Sequence, residues 1–164
     1  MAAAAVALWR GVIPVEWLSS LGYHGIFVLS LINGAAPVAG PSQVATFFVA
    51  GKLNPLFVGL AAGVGGSIGE LAGYLFGYFF RGSLSQEYEQ RFQRFGNLRF
   101  VRFSRERTFV PLLVLASVPN PFFDPVSALA GSLRIGFPKY FLPVLLGKTL
   151  RHLVISFAGY YALT

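Results

Sequence analysis

The sequence predicts an all-α integral membrane protein built as an inverted repeat. Two re-entrant helical segments are each followed by a transmembrane helix, and an N-terminal membrane helix and a cytoplasmic amphipathic helix complete the fold. Three observations predict it. A helix-breaking prolyl stretch occurs twice, at residues 41–51 and 121–131, and each Pro lies ten residues ahead of an Ala-Gly pair. Each stretch leads into a long apolar run with charge at its centre, residues 56–80 around Glu70 and residues 137–163 around Lys148, Arg151 and His152. Short broken segments at matching positions of two halves are the sequence mark of a transporter-like arrangement. Finally, 55% of the residues are hydrophobic and only 12% are charged, half the usual share of about a quarter. Residues 17–51 hold no Asp, Glu, Lys or Arg at all.

The elements follow in order. Residues 17–33 read as the first membrane helix, ended by Asn33-Gly34 and then by Pro37, Gly40 and Pro41. One span needs about 20 apolar residues, so the uncharged stretch holds one span and a re-entrant half-helix pair. Ser42 is the expected N-cap of a short helix through Val49. Such a segment can dip in and return only where its open backbone is buried in protein or faces water. Asn54-Pro55 opens the helix of residues 56–80, with Pro where its missing N–H costs little. Ala61, Gly65, Gly69, Gly73 and Gly77 recur at four-residue steps, a small-residue stripe that lets another helix approach closely. Gly63 lies off that stripe and is expected to tolerate a larger side chain better than Gly69 or Gly73.

Residues 83–95 place Leu84, Tyr88, Phe92 and Phe95 on one helical face and Gln, Glu and Arg on the other. This reads as an interfacial helix lying on the membrane. Residues 108–118 and 122–133 form the second broken segment around Pro119-Asn120-Pro121, with Asp124-Pro125 interrupting the returning arm. Residues 137–163 then span, with Pro143 a predicted kink.

The formal charge of +7 is concentrated: seven arginines fall between Arg81 and Arg107, beside very apolar segments. That is the pattern of a cytoplasmic loop near anionic headgroups, not of a nucleic-acid surface. The chain reads as a single membrane domain over residues 1–164, with an amphipathic basic linker at about 83–107. Placing Arg10 inside makes the first helix exit, returns residues 56–80 to the cytoplasm, and leaves only Lys52 outside. The absence of cysteine excludes disulfides and thiolate chemistry. Residues 1–8 lack a preceding basic region, so no cleaved signal peptide is expected.

Charges within membrane segments are costly and usually face a bundle interior, pair, or mark a pathway. Glu70, Asp124, Lys148 and Arg151 are accordingly the expected headgroup path, with a buried ion-pair network that only braces the fold as the alternative. Snorkelling is a further alternative for Lys148. His152, alone on an apolar helix, is more often a hydrogen-bonded structural residue than a proton relay. No acid or His cluster has metal-ligand spacing, and Ser42, Ser67, Ser104, Ser117 and Ser127 lack a base-and-orienter set. Glycines 63–69 do not end in the Gly-Lys-Ser/Thr of a phosphate loop. No enzyme activity, cofactor or metal is expected.

Several motifs carry a resemblance. Gly69-Glu70, Tyr74 and Gly77 resemble the Gly-Asp/Glu…Tyr…Gly motif of the DedA family, also called the SNARE-associated Golgi protein or VTT-domain family. Gly40-Pro41-Ser42-Gln43 resembles its first re-entrant motif, where a Glu often stands at the position of Gln43. Residues 117–124, Ser-Val-Pro-Asn-Pro-Phe-Phe-Asp, resemble a stretch of the vacuole membrane protein branch, and Gly147-Lys148 resembles the Gly-Lys that follows it there. Together these cover roughly residues 33–159. The resemblance implies two re-entrant segments facing each other across the membrane, and movement of phospholipid or polyprenyl-phosphate lipid. It adds Gln43, Tyr74 and Asn120 to the path, with breaks at Pro41, Pro119 and Pro121. The arginines of the bacterial Arg-Phe-x-Pro-x-x-Arg motif would fall at Ala116 and Phe122 and are absent, which favours passive movement over proton coupling.

The expected function is therefore passive, scramblase-like movement of lipid headgroups through a polar path. A proton- or ion-coupled small-solute exporter titrating at Glu70 and a non-transporting membrane scaffold remain open beside it. The expected partners are the transported lipid, anionic headgroups at the basic linker, and a second copy of the chain in a homo-oligomer, with no nucleic acid. The expected location is a bacterial or archaeal-type plasma membrane, multi-pass, with the linker cytoplasmic.

Overall fold

The computed structural model describes residues 20–35, 41–80, 109–118 and 123–164, and the side chains of these except at 41 and 123–125. They form α1 (Gly22–Ala35), α2 (Pro41–Ala50), α3 (Pro55–Phe79), α4 (Phe109–Ser117), α5 (Phe123–Ser132) and α6 (Phe137–Leu163). No strand occurs among the described residues. The expected interfacial helix of residues 83–95 and the breaks at Pro119, Asn120 and Pro121 lie outside them.

Among the described helices, α3 and α6 are the two long and apolar enough to cross a membrane. Their 25 and 27 residues reach beyond the hydrocarbon core, about 30 Å thick, at a rise of about 1.5 Å per residue. The others, of 14, 10, 9 and 10 residues, reach about half to two thirds of that depth. The Asn54 side chain accepts the Leu56 N–H at 3.0 Å and Pro55 starts α3, as the sequence predicts. α6 continues through the fully buried Pro143. Pro125 falls within the first turn of α5, where a missing N–H interrupts nothing.

Close backbone approaches fix the helix directions. A Cβ on Gly65 would strike the Phe27 carbonyl, and one on Gly69 the Leu31 carbonyl, so α1 and α3 run parallel. Gly147 faces Leu113 and Ser117, and Arg151 reaches Val118, so α4 and α6 also run parallel. Between the long helices the order reverses: Gly59 faces Leu153 and Ser156, Gly63 faces Thr149, and Gly66 faces Lys148. α3 and α6 are antiparallel. The short helices cross over, α2 packing on α6 and α5 on α3. Gly131 abuts the Tyr74 carbonyl while Gly77 abuts that of Ala128, and Gly159 abuts Phe47 while Gly51 abuts Leu163. Each Ala-Gly pair thus seats the end of a short helix against the long helix of the other half.

Four expectations need correction. The first helix was expected to cross opposite to α3, ending at Asn33-Gly34. It runs parallel to α3 and continues to Ala35, because Gly34 is used for close approach to the Gly66 carbonyl and the Glu70 N–H rather than as a breaker. Ser42 does not cap α2: the helix starts at Pro41, and the Ser42 N–H donates to Asn33 Oδ1 at 3.4 Å. The small-residue stripe does not serve one partner. It drifts about 40° per four-residue step, so Gly65 and Gly69 meet α1 while Gly77 meets α5, and Gly73 is only half-buried. Gly63, expected to be tolerant, is closed off by Thr149, whose Oγ1 would lie 2.7 Å from a new Cβ.

Two apolar clusters form the interior. One joins Ile26, Ala45, Val49, Val58 and Ala62, and the other Tyr74, Leu112, Ala116, Ala130, Tyr140 and Val144. The outward faces are equally apolar: Leu142, Leu146, Leu150 and Val154 make an exposed ridge on α6, as Phe57, Leu60, Ile68, Leu75 and Phe76 do on α3. Ridges of this extent suit lipid as solvent. The chain contains no cysteine, so single-cysteine variants test the layout directly. Cysteines at Asn54 and Thr164 should react with an impermeant maleimide from one side, and at Arg134 and Lys139 from the other. Labelling of Asn54 and Arg134 from the same face would break the antiparallel arrangement.

Candidate functional site at the middle of the helix pair

α1 ends beside Gly69, and α4 ends beside Gly147 and Arg151, both near the midpoints of the long helices. α2 begins beside the end of α1, where the Ser42 N–H meets Asn33, and within their first turn and a half α2 and α5 bring Thr46 to His152 and Ser127 to Glu70. Four helix ends therefore converge halfway along the pair. Helix termini leave backbone groups open and carry partial charge, negative at the C-termini of α1 and α4 and positive at the N-termini of α2 and α5.

Glu70 and Lys148 form the centre. The Lys148 ammonium pairs with Glu70 Oε2 and also donates to the Gly66 carbonyl at 3.1 Å. The Ser127 hydroxyl donates to the other carboxylate oxygen, Oε1. Glu70 is 2% and Lys148 5% exposed, so the ion pair is sealed and snorkelling of Lys148 is overturned. The Lys148 stem passes Gly66 at ordinary contact distance, its Cδ 3.8 Å from where a Cβ there would lie.

The other cation is used differently. Arg151 shares the polar face of Lys148, but its Nη1 donates to the Val118 carbonyl at 3.5 Å, just beyond the C-terminus of α4. A cation there answers the negative helix end. His152 is buried, and its Nδ1 lies 3.2 Å from Thr46 Oγ1. The Thr46 hydroxyl proton is given to the Ser42 carbonyl at 2.7 Å, which assigns Nδ1–H as the donor to Thr46 and leaves Nε2 an acceptor. Glu70 and His152 thus occupy matching places, each on a long helix and each bonded to a hydroxyl of the other half's short helix.

The remaining expected residues divide. Tyr74 is buried one turn beyond Glu70; its hydroxyl donates to the Ile135 carbonyl at 2.6 Å and its ring stacks on Tyr140 at 4.6 Å. It ties α3 to the start of α6. Gln43 is half-buried in the first turn of α2. Asp124 lies in the first turn of α5, three residues before Ser127. Sequence reasoning missed Ser127 and Thr46, which complete the two contacts, and Ser30, whose buried hydroxyl has no hydrogen-bond partner among the described residues. A hydroxyl within a ten-residue apolar helix was the available signal for the first two.

Two antiparallel long helices with apolar outer faces, flanked by half-length helices and holding a buried ion pair at their centre, define a helical membrane protein. The VTT domain family matches residues 40–161, and the chain belongs to that family. Among curated proteins it is similar to vacuole membrane protein KMS1 of Arabidopsis thaliana, 45% identical over 47 residues. That match takes in 29% of this chain and 11% of the relative, so the matched stretch is only about a tenth of that longer protein. No solved structure matches.

Proposed function

We propose that this VTT-domain protein moves phospholipid passively across the bilayer, and that the level of Glu70 and Lys148 is the polar waypoint for the headgroup. The carrying observation is the sealed Glu70–Lys148–Ser127 contact at the depth where four short helices end or begin. A headgroup entering hydrocarbon loses its hydration, at a cost too high unless polar partners replace water. Charged side chains and open helix ends supply such partners, while the acyl chains stay against the exposed Leu and Phe ridges. In this reading α1–α2 and α4–α5 are re-entrant hairpins entering from opposite faces, an inverted repeat in which the first hairpin includes α1. The arginine-rich stretch joins the end of α3 to the start of α4, and the positive-inside rule makes that side cytoplasmic. The Ser-Val-Pro-Asn-Pro-Phe-Phe-Asp segment marks kinship with the vacuole membrane protein branch. No bond is made or broken by this activity.

The test is lipid exchange in vesicles holding purified protein and an acyl-labelled phosphatidylcholine, read by quenching of the outer-leaflet label. Exchange without any pH gradient is expected. Folded protein that leaves half of the label protected, or that shows only gradient-dependent solute flux, would overturn the reading.

A further inference from the structure

We infer that the Glu70–Lys148 pair is a resident copy of a zwitterionic phosphodiester headgroup, and that such a headgroup crosses by exchanging ion pairs with it. The inference rests on the lipid-moving reading and names the substrate class of that site. Two donors converge on the Glu70 carboxylate, one to each oxygen: Ser127 Oγ from α5 and Lys148 Nζ from α6. A phosphodiester also presents two anionic oxygens on one atom and carries one negative charge, so the same two donors fit it. Both belong to the second half of the chain, whereas Glu70 belongs to the first. Lys148 is also held by the Gly66 carbonyl at 3.1 Å, which keeps its ammonium in place when the carboxylate leaves.

Charge balance selects the headgroup. A phosphate that takes Lys148 and Ser127 releases Glu70 into a buried site, where an unpaired carboxylate is strongly unfavourable. An ammonium or choline group on the same headgroup is the counter-ion it then needs. Phosphate on Lys148 and Ser127 with the amine on Glu70 leaves every charge paired. A headgroup with phosphate alone strands Glu70, and one with a cation alone strands Lys148. Arg151, the next cation along α6, is turned instead toward the Val118 carbonyl at the end of α4. Wild-type protein therefore favours phosphatidylcholine or phosphatidylethanolamine over phosphatidylglycerol.

Glu70→Gln removes the need for the amine and should switch the selectivity. Exchange of acyl-labelled phosphatidylcholine and phosphatidylglycerol is compared for both proteins in the same vesicles. The wild type should favour phosphatidylcholine on the order of a hundredfold or more, as expected for one buried charge left unpaired, and Glu70→Gln should favour phosphatidylglycerol. A second readout needs no transport: dihexanoyl phosphatidylglycerol should raise the melting temperature of detergent-solubilised Glu70→Gln by about 5–10 °C near saturation, and dihexanoyl phosphatidylcholine should do so less. If the variant is recovered folded only with the anionic lipid present, that also supports the exchange. An unchanged lipid preference, equal stabilisation by both lipids, or failure to recover the variant with either would overturn it. Wild-type protein that moves no lipid while Glu70→Gln keeps its selective stabilisation would refute the transport reading and leave the headgroup site standing.

Discussion

Replacing Glu70 by Gln destabilises the protein in phospholipid-free detergent by about 3–5 kcal/mol, the cost of stranding one member of a buried ion pair. For a chain of this size that is a fall in melting temperature on the order of 10 °C. The reason lies in the seal around Lys148: the residue is 5% exposed and its ammonium pairs with the Glu70 carboxylate. Gln retains an acceptor for Ser127 and so preserves the shape of the site, but it carries no charge. Lys148→Met should cost a similar amount, because it strands the carboxylate instead. Combining Glu70→Leu with Lys148→Met should restore stability to near that of the wild type, since apolar groups of similar volume replace buried pairs at little or no cost. Thermal unfolding of the three variants checks this, and single substitutions costing under about 1 kcal/mol would mean that water already reaches the pair.

Gly69→Leu should be the most damaging change outside the charged site. Its missing Cβ lies against the Leu31 carbonyl and 2.9 Å from the Ala35 N–H, so the contact is with backbone, which cannot swing aside. Overpacking of this kind costs about 1–3 kcal/mol, and parting α1 from α3 also opens the wall behind Glu70. Gly63→Leu should be comparably harmful, because Thr149 closes that position from α6. Gly66→Ala is the internal control. Its nearest neighbours lie at 3.7–4.0 Å, ordinary contact distances, so the added methyl should be neutral or stabilise the helix by up to about 1 kcal/mol. Melting temperatures in one detergent separate the three, and equal tolerance would reduce the glycines to composition.

What the sequence revealed and what it hid follow from the range of the forces involved. The opening of α3 at Asn54-Pro55 and the extent of α6 are set by neighbouring residues and were legible. The pairing of Glu70 with a base on the last helix was legible too, because buried charge demands a partner; which base it was depended on helix rotation. Lys148 faces α3 and Arg151 faces α4, although the two are only three residues apart. The direction of α1 was not legible: an uncharged apolar stretch reads the same either way, and only its glycine-backed contacts with α3 fix it. Gly63 was misjudged because a stripe counted along one helix says nothing of a second partner on another face. Thr46 and Ser127 gained their roles from a crossover between halves, a contact with no local signature.

The most direct test of the polar waypoint uses a protein that keeps its fold and loses its central charge. The Glu70→Leu, Lys148→Met double variant should melt near the wild-type temperature while its exchange of labelled phosphatidylcholine in gradient-free vesicles falls to that of protein-free vesicles. A folded double variant that exchanges lipid at the wild-type rate would show that headgroups cross elsewhere, and the buried pair would then be a brace and nothing more.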